Sequence, residues 1–217
     1  MQGRSTQPSR ESVDRLAGWA IVFLVVPWIN PFANGPSSAV QPWLTSAGCA
    51  LIAWACLFAR GSSTGGLLEW RKVALIAWVV AAGLSALICL LQYFGWADRL
   101  SPWLNVPQLG EAFGNLRQRN QMATLTAIGV GAIIGWGSSG LRHGWALALL
   151  GLLAFANAAT ASRTGLLQVL WLVLIFSAWG GRGRERRWAW MAWLLACYGF
   201  AVIALPQALN WLSGHQA

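Results

Sequence analysis

Seven apolar runs divide the chain, at residues 16–32, 40–59, 73–96, 122–136, 144–161, 165–179 and 188–209, with short polar patches between them. Each reads as a helix crossing a hydrocarbon core of about 30 Å, although several are short and the boundaries of the fourth to sixth are open by a few residues. The pattern therefore predicts an all-α, polytopic transmembrane bundle of about seven spans. Residues 1–15 form a tail, 16–96 the first three membrane helices, 97–121 an interfacial loop, 122–212 four further helices and 213–217 a short end. Arg4, Arg10 and Arg15 before the first run resemble a secretory signal, but the further spans behind it favour an uncleaved first helix.

Composition sharpens this picture. With 57% hydrophobic and only 10% charged residues, the 217-residue chain has no charged skin to cover a water-soluble core, so its apolar surface is expected to meet lipid. A formal charge of +9 would suggest nucleic acid in a soluble protein. Here the basic residues sit between apolar runs and read as topology signals and as possible phosphate ligands, with no nucleic-acid role. An inward N-terminus places Arg4, Arg10, Arg15, Arg60, Arg71, Lys72, Arg142, Arg182, Arg184, Arg186 and Arg187 in the cytoplasm and leaves Arg99, Arg117, Arg119 and Arg163 outside. Positive-inside bias favours that orientation, in a bacterial inner membrane.

Among the sixteen tryptophans, Trp28, Trp43, Trp70, Trp96, Trp103, Trp136, Trp179 and Trp188 lie near span ends, where interfacial anchoring explains them. Gly131 and Gly135 form a GxxxG pair with Gly129 nearby, read as close intramolecular helix packing rather than dimerisation. Cys49, Cys56, Cys89 and Cys197 fall inside apolar runs without metal spacing and read as small buried hydrophobes.

The four outward arginines mark the expected chemistry. Segment 113–121 reads Phe-Gly-Asn-Leu-Arg-Gln-Arg-Asn-Gln, and Arg117, Gln118, Arg119, Asn120 and Gln121 are five successive N–H donors before the fourth run. Were the helix to start near Asn115 or Leu116, its free backbone N–H groups would join them as an anion site. Arg117, Asn120 and Gln121 would then share one face, with Arg119 pointing elsewhere. The bland alternative is an interfacial salt bridge to Glu111. A second polar island, Asn157-Ala-Ala-Thr-Ala-Ser-Arg-Thr-Gly165, sets Arg163 at membrane-surface depth, where it could hold a lipid phosphate. Residues 97–113, with Trp103, Leu104, Val106 and Leu109 among prolines, are expected to lie along the interface and close one side of a cavity. Asp98 and Glu111 are the only outward acids, so a magnesium site is not expected and a metal-independent reaction without cofactor is favoured. His143 reads as a solvated loop residue and His215 as a residue near the end, neither with partners for a catalytic base.

Segment 113–124, Phe-Gly-Asn-Leu-Arg-Gln-Arg-Asn-Gln-Met-Ala-Thr, and Ala161-Ser-Arg-Thr-Gly165 resemble two motifs of the O-antigen ligase superfamily, closest to the bacterial protein O-oligosaccharyltransferases, the pilin glycosylation ligases. The resemblance implies transfer of a preassembled oligosaccharide from a polyprenyl (undecaprenyl) diphosphate carrier to a hydroxyl of an acceptor protein such as pilin, at the periplasmic face. Carried over by position, Arg117, Gln118, Asn120 and Arg163 match the family pattern, with Arg119 where the family varies; charge stabilisation of a diphosphate leaving group fits such residues. The family continues into a long periplasmic loop bearing a histidine and into further helices. The chain resembles the first half of such a ligase, and the isolated chain is expected to bind the carrier but to lack transfer activity. An O-antigen polymerase or a lipid A core ligase shares the carrier and the face. A non-catalytic scaffold or transport component is the reading of another class, set back by the lack of any acid inside a predicted span.

Overall fold

The computed structural model describes residues 10–30, 40–59, 66–116, 118–137, 140–179 and 183–214. Arg4, Phe32, Arg60, Arg117, Arg182 and His215 lie outside the described residues. The described residues form seven α-helices and no strand: α1 (Arg10–Ile29), α2 (Gln41–Ala59), α3 (Gly66–Tyr93), α4 (Arg119–Gly137), α5 (His143–Ala159), α6 (Arg163–Ala178) and α7 (Arg184–Ser213), with a 3₁₀ turn at Ala97–Leu100 between α3 and α4. Each expected span therefore has its helix.

Among the described residues, three stretches are long and apolar enough to cross a membrane, Pro42–Ala59, Trp70–Tyr93 and Arg184–Ser213. The apolar helices α5 and α6, of 17 and 16 residues, are shorter, about 24–26 Å at a helical rise of about 1.5 Å per residue.

The centre of the bundle is α3, α4 and α5. α3 packs on α1, α4 and α5, while α5 also meets α6 and α7, and α2 packs principally on α1. Small residues allow this crowding. Ala81, Ala82 and Ala86 of α3 are buried, and Gly129 of α4 faces them so closely that an added Cβ would stand 2.4 Å from Ala82 Cβ and 2.9 Å from Leu153 Cδ1. The expected GxxxG pair needs correction here. Gly131 has open space where its Cβ would be, and Gly135 meets only the tip of Leu75, so Gly129 makes the tight contact with α3 and α5. The reason is angular: Gly131 lies two residues, about 200° of helix, from Gly129 and so points away from that seam.

On α2, Leu51, Trp54 and Phe58 remain exposed, which suits a lipid surround. Cys49, Cys89 and Cys197 are buried and Cys56 is half-buried; all four are free thiols, as small apolar fillers would be.

At the end formed by the start of α7, basic residues satisfy helix termini. Arg186 donates from Nη2 to the carbonyl of Gly137, the last residue of α4 (2.7 Å), and Arg187 donates to that of Trp179 at the end of α6 (2.8 Å). Both cations meet the negative ends of helix dipoles, whose last carbonyls have no helical donor. The Arg186 guanidinium also lies 5.1 Å from the Trp190 ring centroid. His143 is exposed, as a solvated residue would be, but it is the first residue of α5 rather than part of a loop, and its Nδ1 accepts a hydrogen bond from the Trp190 indole at 2.9 Å.

Candidate functional site

The opposite end carries the two polar motifs. Its scaffold is a buried amide network that the sequence did not announce. Gln92 in the last turn of α3, 1% exposed, donates to the carbonyls of Asn105 (3.0 Å) and Gly114 (2.9 Å) and accepts from the Phe113 amide (3.1 Å). Asn115, equally buried, donates to the carbonyls of Ile29 (2.9 Å) and Trp103 (3.0 Å) and accepts from the Asn105 amide (3.0 Å). Two side chains thus satisfy backbone groups from the end of α1 and from both arms of the loop between α3 and α4, groups that would otherwise be costly to bury.

That network explains where α4 begins. Asn115 uses its amide to tie the loop to α1, and residues 114–116 form a turn, so the helix starts at Arg119 rather than near Asn115 or Leu116. Gln118 precedes the helix, and the shared helical face expected for Arg117, Asn120 and Gln121 depends on Arg117, which lies outside the described residues. Trp103, Val106 and Leu109 stay more than half exposed on the loop while Ala97 and Ala112 are buried.

Arg119, the first residue of α4, pairs with Glu111, the partner considered on sequence grounds. Both side chains are substantially exposed, so solvent screens the pair. Replacing Arg119 by alanine should change the unfolding free energy by less than about 1 kcal/mol. A denaturant titration showing a much larger loss would mean that the pair organises the loop.

The two motifs meet at a hydrogen bond. The hydroxyl of Ser162 donates to Asn120 Oδ1 at 2.8 Å and accepts from the Gly165 amide at 3.1 Å. Ser162 is thereby the N-cap of α6, satisfying a free N–H of its first turn, and at the same time clasps the start of α4. Below the clasp, Asn157 of α5 donates to Thr126 Oγ1 at 2.6 Å. Gly165 leaves room for it, because a Cβ there would lie 2.5 Å from Asn157 Oδ1 and 3.0 Å from Ala123 Cβ. The final glycine of Ser-Arg-Thr-Gly is thus a packing requirement of the junction between α4, α5 and α6. Gln168 extends the junction by donating to Thr124 Oγ1 at 2.9 Å.

Two hollows flank the clasp. One, of about 600 Å³, lies between the end of α5, the start of α6 and α7; Ser162, Arg163, Tyr93 and Tyr198 line it with small and branched apolar residues, and Gly110 contributes from the loop. These are the only two tyrosines of the chain. Arg163 is exposed and makes no ion pair or hydrogen bond through its side chain among the described residues. The second hollow, of about 420 Å³, is lined by Trp28, Leu116, Asn120, Gln121 and Thr124. Of the expected site residues, Asn120 and Gln121 therefore share one hollow, Arg163 lines the other, Arg119 is committed to Glu111, and Gln118 is exposed just before α4.

No curated protein and no solved structure matches the chain. A family model described as protein glycosylation ligase matches residues 112–132, a short stretch running from just before the Asn115 turn through about three quarters of α4. That match supports a glycan-ligase type of function in general, and the apolar helices suit a membrane protein.

Proposed function

We propose that this protein is a membrane glycan ligase, or the donor-binding portion of one, that takes a preassembled oligosaccharide from a polyprenyl diphosphate carrier for transfer to a protein hydroxyl at the periplasmic face of the bacterial inner membrane. Seven spans with the N-terminus in the cytoplasm put both polar motifs on the periplasmic side. The observation that carries the reading is the hydrogen bond between Ser162 and Asn120, which holds Arg163, without an ion pair among the described residues, beside the segment that matches the ligase family. Arg117, Gln118 and Arg163 are the groups that bind the diphosphate. A guanidinium offers two parallel donors to phosphate oxygens and keeps its charge as the leaving group gains negative charge. The exposed apolar side chains of the loop, Trp103, Val106 and Leu109, rest in the outer interface beside the carrier.

The test is binding of undecaprenyl diphosphate to the chain in lipid nanodiscs, for the parent protein, Arg117→Ala and Arg163→Ala. A charge-assisted contact of about 1.5–3 kcal/mol corresponds to an affinity loss of roughly tenfold to a hundredfold in each variant. Unchanged affinity in both would defeat the diphosphate grip.

A further inference from the structure

We infer that the bilayer is locally thinned along α6. The hairpin between α5 and α6 stops inside the outer leaflet, and the membrane's polar surface is drawn down to it, leaving a hydrocarbon layer of about 24–26 Å where about 30 Å is usual. The inference rests on the reading that the helices cross a membrane, and not on the ligase chemistry.

The relative heights follow from how α5 and α7 run side by side and in step. The Trp190 indole donates to His143 Nδ1 (2.9 Å), the Trp193 indole donates to the Leu147 carbonyl (2.9 Å), and Phe155 meets Phe200 with ring centroids 6.0 Å apart. Continued at that spacing, Ala159, the last residue of α5, stands level with Ala204, and α7 goes on to Ser213, about 13 Å higher at a rise of about 1.5 Å per residue. The loop before α4 shares that height, since a Cβ on Gly110 would lie 3.1 Å from Leu209 Cδ2. The hairpin has no such extension: residues 160–162 close the turn, and Arg163 already starts the descent of α6. It is a low sill before a tall back wall, and the hollow that Arg163 lines lies between the two. On α6, Leu166, Leu167, Leu170, Trp171 and Leu174 are exposed, so among the described residues the sill faces lipid rather than protein.

The polar groups of the sill cannot climb to a flat membrane surface. Arg163 is long enough to snorkel. Thr164 is exposed and short, Ser162 is tied to Asn120 and to the Gly165 amide, and the first-turn N–H groups of Arg163 and Thr164 lie ahead of any carbonyl of their own helix. Sliding α6 outward would not lift them clear, because the Arg187 guanidinium holds the carbonyl of Trp179 at the other end (2.8 Å) and would be pulled into the hydrocarbon in their place. A backbone donor left in hydrocarbon costs several times more than each ångström of bilayer deformation. Thinning by about 5 Å is therefore the cheaper response to a helix this short.

The experiment places a nitroxide on α6 in nanodiscs of a phosphatidylcholine whose hydrocarbon core is about 30 Å thick. Thr164→Cys, Leu170→Cys and Ala178→Cys put the label at the start, middle and end of the helix, all at exposed positions, in a Cys56→Ala background whose other thiols are buried. Collision with a water-soluble nickel chelate reports the polar phase, and collision with oxygen the hydrocarbon. The labels of Thr164→Cys and Ala178→Cys should both meet the chelate several-fold more often than that of Leu170→Cys. A nickel-poor label at either end overturns the inference, because a flat core of that thickness covers one end or the other. A label in Leu170→Cys as wet as both ends overturns the membrane reading and the inference with it. Amide exchange repeats the test on the unsubstituted protein: Arg163 and Thr164 should exchange as fast in nanodiscs as in detergent, and strong protection that appears only in nanodiscs would overturn the thinning. Carrier binding is read separately, from Arg163→Ala, so the ligase reading can fail while both ends of α6 stay wet.

Discussion

Asn115→Ala should unfold the site-bearing end of the bundle at a cost of roughly 3–5 kcal/mol, from the loss of several buried hydrogen bonds made by one side chain. The substitution removes the donors to the carbonyls of Ile29 and Trp103 and the acceptor of the Asn105 amide, all supplied by one side chain that is 1% exposed. Asn115→Asp is expected to be similarly damaging, because a carboxylate would face two carbonyls as an acceptor against acceptors. Asn105→Ala is the control, since Asn105 enters the network through its backbone N–H and carbonyl, which alanine keeps. Thermal unfolding in detergent should place Asn115→Ala on the order of 10 °C below the parent, with Asn105→Ala close to it. Faster amide exchange at Asn105 and Phe113 should accompany the shift. A parent-like Asn115→Ala would mean that water at the bundle end replaces the side chain and that the loop is held by something else.

The helices were legible because membrane-scale apolar runs have one local solution: a backbone in lipid must satisfy its own polar groups, and a helix does so within each run. The ends were less legible, for a reason seen at α4. Asn115 and Leu116 read as the start of a helix because the residues after them are donors and then apolar, and nothing in that local pattern says that Asn115 is needed by Ile29, 86 positions earlier. The same holds for Gln92, whose partners Asn105 and Phe113 belong to a loop that reads locally as merely interfacial. Long-range pairing also decided which basic residues were free. Arg119 and Arg163 look alike in sequence, yet Glu111 meets the first and no described acid meets the second. What the motifs did carry was proximity: Asn120 and Ser162, each picked out inside a polar island, are the residues that touch.

Gly129→Ala should destabilise the bundle while Gly131→Ala should not, and the pair separates seam packing from glycine content. A methyl at Gly129 would stand 2.4 Å from Ala82 Cβ, a rigid neighbour, and 2.9 Å from Leu153 Cδ1, which can swing aside only into an occupied core. α4 must then move off α3 and α5, at a cost of about 1–3 kcal/mol, with Gly129→Leu beyond that. At Gly131 nothing lies within 4 Å of the added methyl, so alanine should be neutral or slightly stabilising through its better helix propensity. Because the seam runs on to Ala123 and Thr126, where Asn157 and Gly165 meet α4, its opening should reach the clasp and weaken the proposed carrier binding along with stability. Ala82→Gly removes the opposing methyl and should restore part of the loss in the double variant, a coupling of neighbours that independent sites do not show. Thermal unfolding of the four proteins gives the cycle directly. Equal melting of Gly129→Ala and Gly131→Ala, or no rescue by Ala82→Gly, would remove the α3–α4 seam as the element that holds the two motifs together.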